Sequence, residues 1–453
     1  MSNPSNQGGA SLPESTPSIP FPAGPRPLDA RFDLDALTSD GGLVWVAEAD
    51  AALGLSTLLA AAIPDWRRRR GRHRLEALLQ QRLYQIACGY EDQNDATTLR
   101  HDPLLKQVCG RLPVSGAPLA SQPTLSRLEN AVDARSCYRL AQALGAIYLQ
   151  ERERDGAPTR ILLDFDSTAD PIHGEQEGGA YHGYYRQHMY HPLLVFDGDT
   201  NQLITAVLRP GNVHASRGIV ASLRRIVRAI RERWSGVAIE LRADSGFAVP
   251  ALYTYCEGEG IAYTIGLVTN SRLEALAAPR LDQALAQTAS TGEKTRLIDE
   301  TRYQAGTWEQ ARRVVYKAEA LAKGPNTRFV VTNRPVEVTA QTVYDAYVDR
   351  GEPENWIKDL KNHCFAGRLS CHTFAANQFR LLLHAAVYWL LDTLRRWLMT
   401  AGMERIQLDT LRLRLIKIGG WIRELATVVR LHLASSHPGR PLWELLAARP
   451  GRL

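Results

Sequence analysis

Apolar residues in the first third of the chain recur with the 3.6-residue rhythm of amphipathic helices. The clearest segment has apolar residues at Leu75, Leu78, Leu79, Leu83 and Ile86. Positions three and four apart line one face of a helix, so a buried stripe is expected here. We therefore predict a helical domain over residues 31–155. Residues 1–30 are rich in Pro, Ser and Gly and contain few large apolar side chains, which predicts a disordered tail.

Short apolar runs bounded by turn residues replace this rhythm beyond residue 159 and predict strands. The predicted strands cover residues 161–166, 191–196, 202–208, 238–244 and 262–267. Amphipathic segments at 216–234 and 249–258 predict helices between the later strands. Three antiparallel strands followed by alternating helices and strands predict an α/β core with a mixed sheet.

Three further strand-like runs between residues 296 and 334 are interpreted as a β insertion in this core. The boundaries that follow are 156–270 for the first part of the core, 271–340 for the insertion, 341–373 for a closing helix and 374–453 for a helical C-terminal region. The longest apolar stretch, Leu381–Leu394, is interrupted by His384 and Asp392 and is too short to span a bilayer. It predicts a buried helix.

The distribution of charge adds a candidate surface. The 453 residues include 54 Lys and Arg and 48 Asp and Glu, and the net charge of +6 permits a polyanionic partner without requiring one. Basic residues are concentrated at Arg67, Arg68, Arg69, Arg70, Arg72 and Arg74. Such a cluster is either a solvated surface or a phosphate contact.

The six cysteines show no paired framework, which is typical of a reducing cytoplasm, and the N-terminus has no signal-peptide pattern.

Two aspartates stand where predicted strands end. Asp166 closes the first strand and Asp244 closes the fourth, the position at which α/β folds place ligand-facing groups. Carboxylates beside apolar runs need a balancing charge, which Mg²⁺ supplies because it prefers oxygen ligands. Alternatively, each aspartate caps a turn or pairs with an arginine. Asp164 shares a strand face with Asp166 and is a second candidate for the first position.

A third carboxylate lies in a segment with four spaced functional groups, Tyr347, Arg350, Glu354 and Lys361. Pro353 suits the first turn of a helix. Seven residues separate Glu354 from Lys361, which puts both side chains on one helix face. A carboxylate with cations on either side is suited to holding a phosphodiester against a metal. The alternative is an exposed helix with ordinary charge pairs.

Together these motifs resemble the DDE transposases of bacterial insertion sequences, which have a ribonuclease-H-like core and a Tyr-Arg-Glu-Lys signature. Asp166-Ser167-Thr168 and Arg242-Ala243-Asp244-Ser245-Gly246 resemble the first two acidic segments of that family. Segments 85–92, 182–185, 368–372 and 376–380 resemble the insertion-sequence-1380 group, a relative of the insertion-sequence-4 group. The resemblance covers residues 35–430.

The resemblance implies a catalytic triad of Asp166, Asp244 and Glu354 that holds two Mg²⁺ ions, for which Mn²⁺ can substitute. Two metals can activate a water that hydrolyses the phosphodiester at a transposon end, after which the freed 3′-hydroxyl attacks target DNA. The resemblance further implies that Arg350 and Lys361 grip phosphates near that bond. It gives Tyr347 a stacking or hydrogen-bonding role and no role as a nucleophile.

The implied partner is double-stranded DNA, both transposon ends and target, bound by a homodimer without a membrane or a small-molecule cofactor. The helical domain would bind the terminal inverted repeats in the cytoplasm of a bacterium, associated with the nucleoid when bound. Residues 122–130 form either a helix that reads the major groove or an ordinary bundle helix. Trp308 either stacks on a flipped base, as the resemblance implies, or is a cross-strand aromatic.

Two other functions stay open. A catalytically silent DNA-binding protein derived from a transposase would account for the arginine cluster, but the complete acidic triplet argues against it. A hydrolase with an acidic pair for a substrate other than nucleic acid does not account for the cations around Glu354. The pairs His363-Cys364 and Cys371-His372 lack the usual spacing of zinc ligands, and burial between helices is the favoured interpretation.

Overall fold

The computed structural model describes residues 19–21, 25–26, 28–65, 67, 71–154, 156–321 and 324–449. Most of the predicted tail therefore lies outside the described residues. Its described part contains β1 (Ile19–Phe21), which pairs antiparallel with β2 (Leu28–Ala30). A two-residue strand follows, β3 (Leu37–Thr38).

Seven helices occupy the described residues of the segment predicted to be helical. They are α1 (Leu43–Leu53), α2 (Leu55–Ala62), α3 (Leu75–Ala87), α4 (Ala96–Leu99), α5 (Pro103–Val108), α6 (Gln122–Ala131) and α7 (Ala134–Glu153). Gly54, at φ 62°, separates α1 from α2, because a left-handed residue ends a helix at little cost when it is glycine. The side chain of Asp133 caps α7 by accepting from the Ser136 amide. The apolar stripe of α3 is buried, as its spacing predicts.

Strands dominate the next part of the chain, with helices between some of the later ones. The strands are β4 (Arg160–Ser167), β5 (Asp170–Pro171), β6 (Ala180–His182), β7 (Gln187–Tyr190), β8 (Leu193–Asp197), β9 (Leu203–Val207), β10 (Ala238–Ala243), β11 (Ala262–Leu267), β12 (Thr295–Tyr303), β13 (Arg312–Leu321) and β14 (Gly324–Thr332). The helices are α8 (Ile219–Arg233), α9 (Pro250–Gly258) and α10 (Ser271–Thr291).

Eight of these strands form one mixed sheet in the order β12-β13-β14-β11-β10-β4-β8-β9. β4, β8 and β9 are antiparallel neighbours, whereas β10 lies parallel to both β4 and β11. This is the order of three antiparallel strands followed by parallel strands with intervening helices. The predicted fold class, a mixed α/β core of ribonuclease-H type, is confirmed.

The three strands predicted as a β insertion continue the central sheet. β14 pairs antiparallel with β11, so residues 295–332 extend the core on the side away from β9. Without them β11 would be an open edge with unpaired backbone groups. The insertion also begins with a helix, α10. The division of the chain at residues 271 and 340 stays a prediction.

A second, three-stranded sheet with the order β5-β7-β6 follows directly from the end of β4. Its strands have two to four residues, too short to give an alternating pattern in the sequence. The turn at residues 183–186 joins β6 to β7, and Tyr181 pairs with His188. This small sheet was not predicted.

The segment 341–373, predicted as a closing helix, is not one continuous helix. It contains α11 (Ala340–Val348), α12 (Gly351–Lys358) and a π-helical turn, Asp359–His363. Arg350 forms the start of α12, and Pro353 lies in the first turn of that helix, where a missing amide hydrogen costs nothing. Lys361 lies in the π turn, so its seven-residue spacing from Glu354 does not run through a continuous α-helix.

The C-terminal region was predicted to be helical, and this is corrected in part. It contains α13 (Phe374–Thr400), α14 (Leu408–Leu411), a π-helical turn (Arg412–Ile416), β15 (Gly420–Glu424), β16 (Val429–Leu433) and α15 (Arg440–Ala447). The two strands form an antiparallel hairpin, and β15 also pairs with β3. Each strand has alternately buried and exposed residues over only five positions, a signal easily mistaken for a helix end.

The long helix α13 fills the space between the N-terminal helices and the sheet. It packs against α1, α3, α7 and β9. The apolar stretch Leu381–Leu394 lies at its centre and is buried, as predicted. Within the part of the chain that the structure covers, no single helix is long and apolar enough to cross a membrane, and only α1 and α2, bent by 61°, meet that test as a pair.

Candidate active site

Two adjacent parallel strands end in aspartates. β10 pairs with β4 so that Ala243 lies opposite Phe165. The next residue of each strand is Asp244 or Asp166, and neighbouring strands lie about 4.8 Å apart. Asp166 is 8% exposed, and Asp244 is half-buried at the start of a short 3₁₀ turn, where its carboxylate accepts from the Gly246 amide. The two strand-end aspartates are therefore neighbours.

Asp166 lies between one cation and two other carboxylates. Arg350 Nη1 is 3.1 Å from Asp166 Oδ2, and the Ser167 amide donates to Oδ1 at 2.7 Å. Burial raises the pKa of Asp166 to about 6, although Arg350 opposes the rise. The negative charges of Asp244 and Glu354 also raise that pKa. The third carboxylate thus acts electrostatically on the pair.

Asp164 has a different partner. Its two oxygens each accept from Arg242, Oδ1 from Nε and Oδ2 from Nη2, both at 2.6 Å. Arg242 also donates to the Ala346 carbonyl at 2.7 Å. Asp164 is 1% exposed. The opposite charges of this bidentate pair compensate each other. Asp164 thus fixes Arg242, which in turn holds α11 against the sheet.

Glu354 differs from the two aspartates in being exposed, on the surface of α12. Over the described ranges, the structure gathers no three Asp, Glu, His or Cys side chains closely enough to hold a metal ion. The chemistry of the donors still fits Mg²⁺, since three carboxylates that act on one another's charge favour a cation of oxygen preference. Glu354 would have to approach the aspartates for all three to share an ion.

Tyr347, on α11, reaches the same strand ends. Its hydroxyl lies over Gly266 of β11, where a Cβ atom would overlap that hydroxyl and lie 2.9 Å from the Ser245 amide nitrogen. Burial raises the pKa of Tyr347, Arg350 lowers it, and Asp244 raises it. Tyr347 and Arg350 are therefore both directed towards the aspartate pair.

Lys361 extends from the π turn to the segment that follows Asp166. Its ammonium donates to Thr168 Oγ1 at 3.2 Å and lies 3.5 Å from Asp170 Oδ1. Burial raises the pKa of Asp170 to about 6, and Lys361 opposes this. The π turn itself is fixed from behind by Arg395, which donates to Asp359 at 2.6 Å. Lys361 thus connects the third motif with the end of β4.

Sequence reasoning gave no role to Tyr185, a second aromatic group beside the acidic pair. Tyr185 lies edge-on to His182 and His191, with ring centroids 5.1 and 5.7 Å away. The charges of Asp166 and Asp244 add to a burial-driven rise of the pKa of Tyr185. The segment 182–185, which contains Tyr185, was recognised only as part of the resemblance to the family. Arg242 was also missed, although its position two residues before Asp244 puts both side chains on one face.

Trp308 lies in the loop between β12 and β13 and is covered. Only 6% of the residue is exposed. Its ring packs edge-on against Tyr253 and Tyr303, with centroids 5.3 and 5.5 Å away, and Arg312 lies over it at 5.5 Å. A ring in this place does not stack on a DNA base without first leaving these contacts.

The arginine cluster is described in part, since Arg68, Arg69 and Arg70 lie outside the described residues. Arg67 forms a bidentate pair with Asp65 at 2.7 Å, while Arg72 and Arg74 are exposed. Burial lowers the pKa of His73, and the charges of Arg111, Arg72, Arg100 and Arg67 lower it further. The charges of several arginines therefore converge on this side of the N-terminal helices.

The remaining candidates lie in packed surroundings. α6 buries Leu125, Leu128 and Glu129 and exposes Arg127 and Asn130. Glu129 forms a buried pair with Arg82 at 2.7 Å, which fixes the helix in the bundle.

All six cysteines are free, and no zinc-type group involving Cys364 or Cys371 occurs where the chain is described. Cys364 is fully buried, and its carbonyl lies 2.7 Å from His384 Nδ1. These residues belong to the packing of α13.

The fold and the site together define a class of protein. A ribonuclease-H-like sheet carries aspartates at the ends of two adjacent strands, and a following helical segment contributes a glutamate flanked by basic groups. The family model for the transposase DDE domain, group 1, matches residues 22–452. The chain therefore belongs to the DDE transposase family, whose context is DNA transposition and whose members generally use divalent metal ions.

No curated protein matches the chain. Among solved structures, the chain is similar to a piggyBac transposase in a cryo-EM synaptic complex with hairpin DNA. The identity is 12% and the TM-score 0.42, and the likeness covers 83% of this chain and 79% of that chain.

Proposed function

We propose that the chain is a transposase of the insertion-sequence-1380 group that cleaves transposon ends and joins their 3′-hydroxyl strands to target DNA. One observation carries the proposal. Asp166 and Asp244 end adjacent strands, and Arg350 and Lys361 of the third motif extend to the same end of β4. Cleavage of a phosphodiester requires carboxylates that bind metal cations and basic groups that bind the phosphate.

Asp166, Asp244 and Glu354 are the residues that would hold two Mg²⁺ ions, which when bound activate a water and stabilise the attacking and leaving oxygens. Arg350 neutralises Asp166 in the free protein. A DNA phosphate offers this guanidinium a second anionic partner, so that Arg350 and Lys361 can orient the bond to be cut. Asp164 is not assigned to the site, because Arg242 already engages both of its oxygens.

The N-terminal helices are proposed to bind the terminal inverted repeats of the element. Exposed Arg72 and Arg74 would contact phosphates, and the exposed side of α6 offers Arg127 and Asn130 for base edges. Since two ends have to be paired, the DNA complex is proposed to be a homodimer. Free cysteines are consistent with work in the bacterial cytoplasm, on nucleoid DNA.

Metal-dependent nicking of DNA from the flanks of the coding region, with its inverted repeats, tests the proposal. Wild type is expected to nick in Mg²⁺ or Mn²⁺ and not in EDTA. Glu354→Gln removes the charge and keeps the shape, and it is expected to reduce the nicking rate at least about 100-fold. Glu404→Gln, at another exposed glutamate, is the matched control and should cut like wild type.

The outcomes separate the two transposase-derived functions. If Glu354→Gln cuts as fast as wild type, the acidic triad is wrong. If wild type binds the repeats but never nicks them with either metal, the chain is the catalytically silent DNA-binding protein instead.

A further inference from the structure

The small sheet carries aromatic side chains into solvent. The tyrosine hairpin, defined as β6, the turn 183–186 and β7, exposes 85% of Tyr184, 54% of Tyr181 and 37% of Tyr185. Tyr184 and Tyr185 lie edge-on, with centroids 5.1 Å apart. A tyrosine ring that is this exposed loses water contact readily on binding and is common in binding surfaces.

The base of the tyrosine hairpin is fixed. His191 is buried, and its Nδ1 lies 2.9 Å from the Val213 carbonyl. Arg209 donates to the His191 carbonyl at 2.7 Å and to the Ala215 carbonyl at 2.6 Å. Gly211 packs so closely that a Cβ atom would overlap the carbonyl oxygens of two hairpin residues. The tip is therefore presented on a rigid support, which reduces the entropy lost when a ligand binds.

This support lies beside the acidic pair. The segment after Asp166 is bonded to the hairpin, since Asp170 and Pro171 of β5 pair with Tyr190 and Met189 of β7. On the other side, a Cβ atom on Gly246, two residues after Asp244, would lie 2.9 Å from Ala215 Cβ. A DNA strand whose phosphate reaches the aspartates therefore lies close to the base of the hairpin.

The chemistry of the tip indicates its ligand. Arg186, Gln187 and His188 follow the two tip tyrosines along the chain and supply a cation and hydrogen-bonding groups, and His188 lies edge-on to Tyr181 at 5.6 Å. Rings interspersed with such polar groups do not make the continuous apolar patch of a protein interface. We propose that the tyrosine hairpin holds an unpaired nucleobase of the DNA end by stacking it on Tyr184. The inference rests on the proposed function, because it takes DNA at the acidic pair as given. With Trp308 covered, the hairpin offers an accessible aromatic surface beside the site.

A fluorescence experiment tests the stacking. The probe is a short duplex with a single-stranded 3′ tail that carries 2-aminopurine as its first unpaired base, with a blunt duplex for comparison. Titration is done in EDTA, so that no cleavage occurs. Wild type is expected to quench the tail fluorescence and to bind the tailed duplex more tightly than the blunt one. Tyr184→Ala should weaken binding of the tailed duplex about tenfold, equivalent to about 1.4 kcal/mol, and abolish the quenching.

Two variants control the result. Tyr184→Phe keeps the ring and should bind within about twofold of wild type. Tyr138→Ala removes another exposed tyrosine, on α7, and should bind like wild type. Equal binding by Tyr184→Ala and wild type overturns the inference, as does an equal loss in Tyr184→Phe. A Tyr184→Ala effect only on self-association of the DNA-free protein also overturns it.

The result is separable from the nicking experiment. If wild type nicks DNA and the tyrosine variant binds the tailed duplex normally, the proposed function stands and the stacking is wrong. If wild type never nicks but quenches the probe through Tyr184, the stacking stands and the proposed cleavage is wrong.

Discussion

At the scale of single residues, two aspartates on one strand differ in how their charge is compensated, although burial raises the pKa of both. Asp164 is fully engaged with Arg242, so its charge is compensated inside the protein. Asp166 has one arginine and two neighbouring carboxylates, and burial raises its pKa to about 6. A carboxyl group that is more easily protonated in the folded state than in the unfolded state destabilises the fold whenever it is charged.

The variant Asp166→Asn removes this charge and should change how stability depends on pH. The destabilisation of the wild-type fold by charged Asp166 is absent below the pKa of the unfolded state, near 4, and complete above the pKa of the folded state, about 6. At pH 8 the variant should therefore be more stable than wild type by about 2–3 kcal/mol, from a shift of roughly two pKa units at about 1.4 kcal/mol each. Below pH 4 the two proteins should have equal stability. Urea unfolding across this pH range measures the difference.

Asp164→Asn is the matched control and should act in the opposite direction. It leaves Arg242 buried with an uncompensated charge, and such losses cost about 3–5 kcal/mol. A stabilised Asp164→Asn, or an Asp166→Asn destabilised at pH 8, would show that the roles of the two aspartates are reversed.

At the scale of elements, the sequence predicted what strong patterns encode. The strands around Asp166 and Asp244 are buried apolar runs, and the prediction places them within two residues of β4 and β10. The small sheet, the π turn at Asp359–His363 and the C-terminal hairpin were not predicted. Their positions depend on contacts between distant segments, such as Arg395 with Asp359 or β15 with β3. Local periodicity contains no such information.

The candidate site was likewise predicted only where local patterns encode it. Residue type and strand position indicated Asp166, Asp244 and the cations of the third motif. The choice between Asp164 and Asp166 depended on the register of β4 with β10, which sets Arg242 opposite Asp164. Glu354 is exposed on α12, and the helix break before Gly351 was not predicted from the charge spacing.

The variant Gly211→Ala should disturb the contact between the loop at Gly211 and the tyrosine hairpin. The added methyl group would overlap the carbonyl oxygens of Met189 and Ala180, so the loop and the tyrosine hairpin have to separate. We expect a loss of about 1–3 kcal/mol in the free energy of unfolding and a loss of nicking, because the hairpin support borders Asp244. Denaturant unfolding and the nicking assay measure the two effects.

Gly236→Ala is the control for the effect of a glycine-to-alanine substitution as such. A Cβ atom at Gly236 meets no atom within 4 Å, so this variant should unfold within about 0.5 kcal/mol of wild type and keep its activity. Equal behaviour of the two alanine variants would show that the close approach at Gly211 has no structural role.

At the scale of the whole molecule, the modest net charge of +6 conceals a local concentration of arginines near His73. Each phosphate contact releases a counterion, so binding to duplex DNA should weaken steeply with salt. The double variant Arg72→Ala/Arg74→Ala is expected to reduce the slope of log K against log salt by about 2. Anisotropy titrations between low and physiological salt measure the slope.

Arg414→Ala/Arg430→Ala removes the same charge from exposed positions in the C-terminal region. It should leave the slope nearly unchanged. An equal effect of both double variants would mean that total charge, and not the arginine cluster, determines the affinity for DNA.

The central place of α13 has a consequence for biosynthesis. Trp389 donates to the Leu203 carbonyl at 3.0 Å and Tyr388 to the Asn201 carbonyl at 2.8 Å, and the same helix packs against α1, α3 and α7. While the ribosome is still making residues before 374, neither the helices nor the sheet has its main packing partner. A nascent or prematurely terminated chain thus has no completed core with which to act on the gene that encodes it.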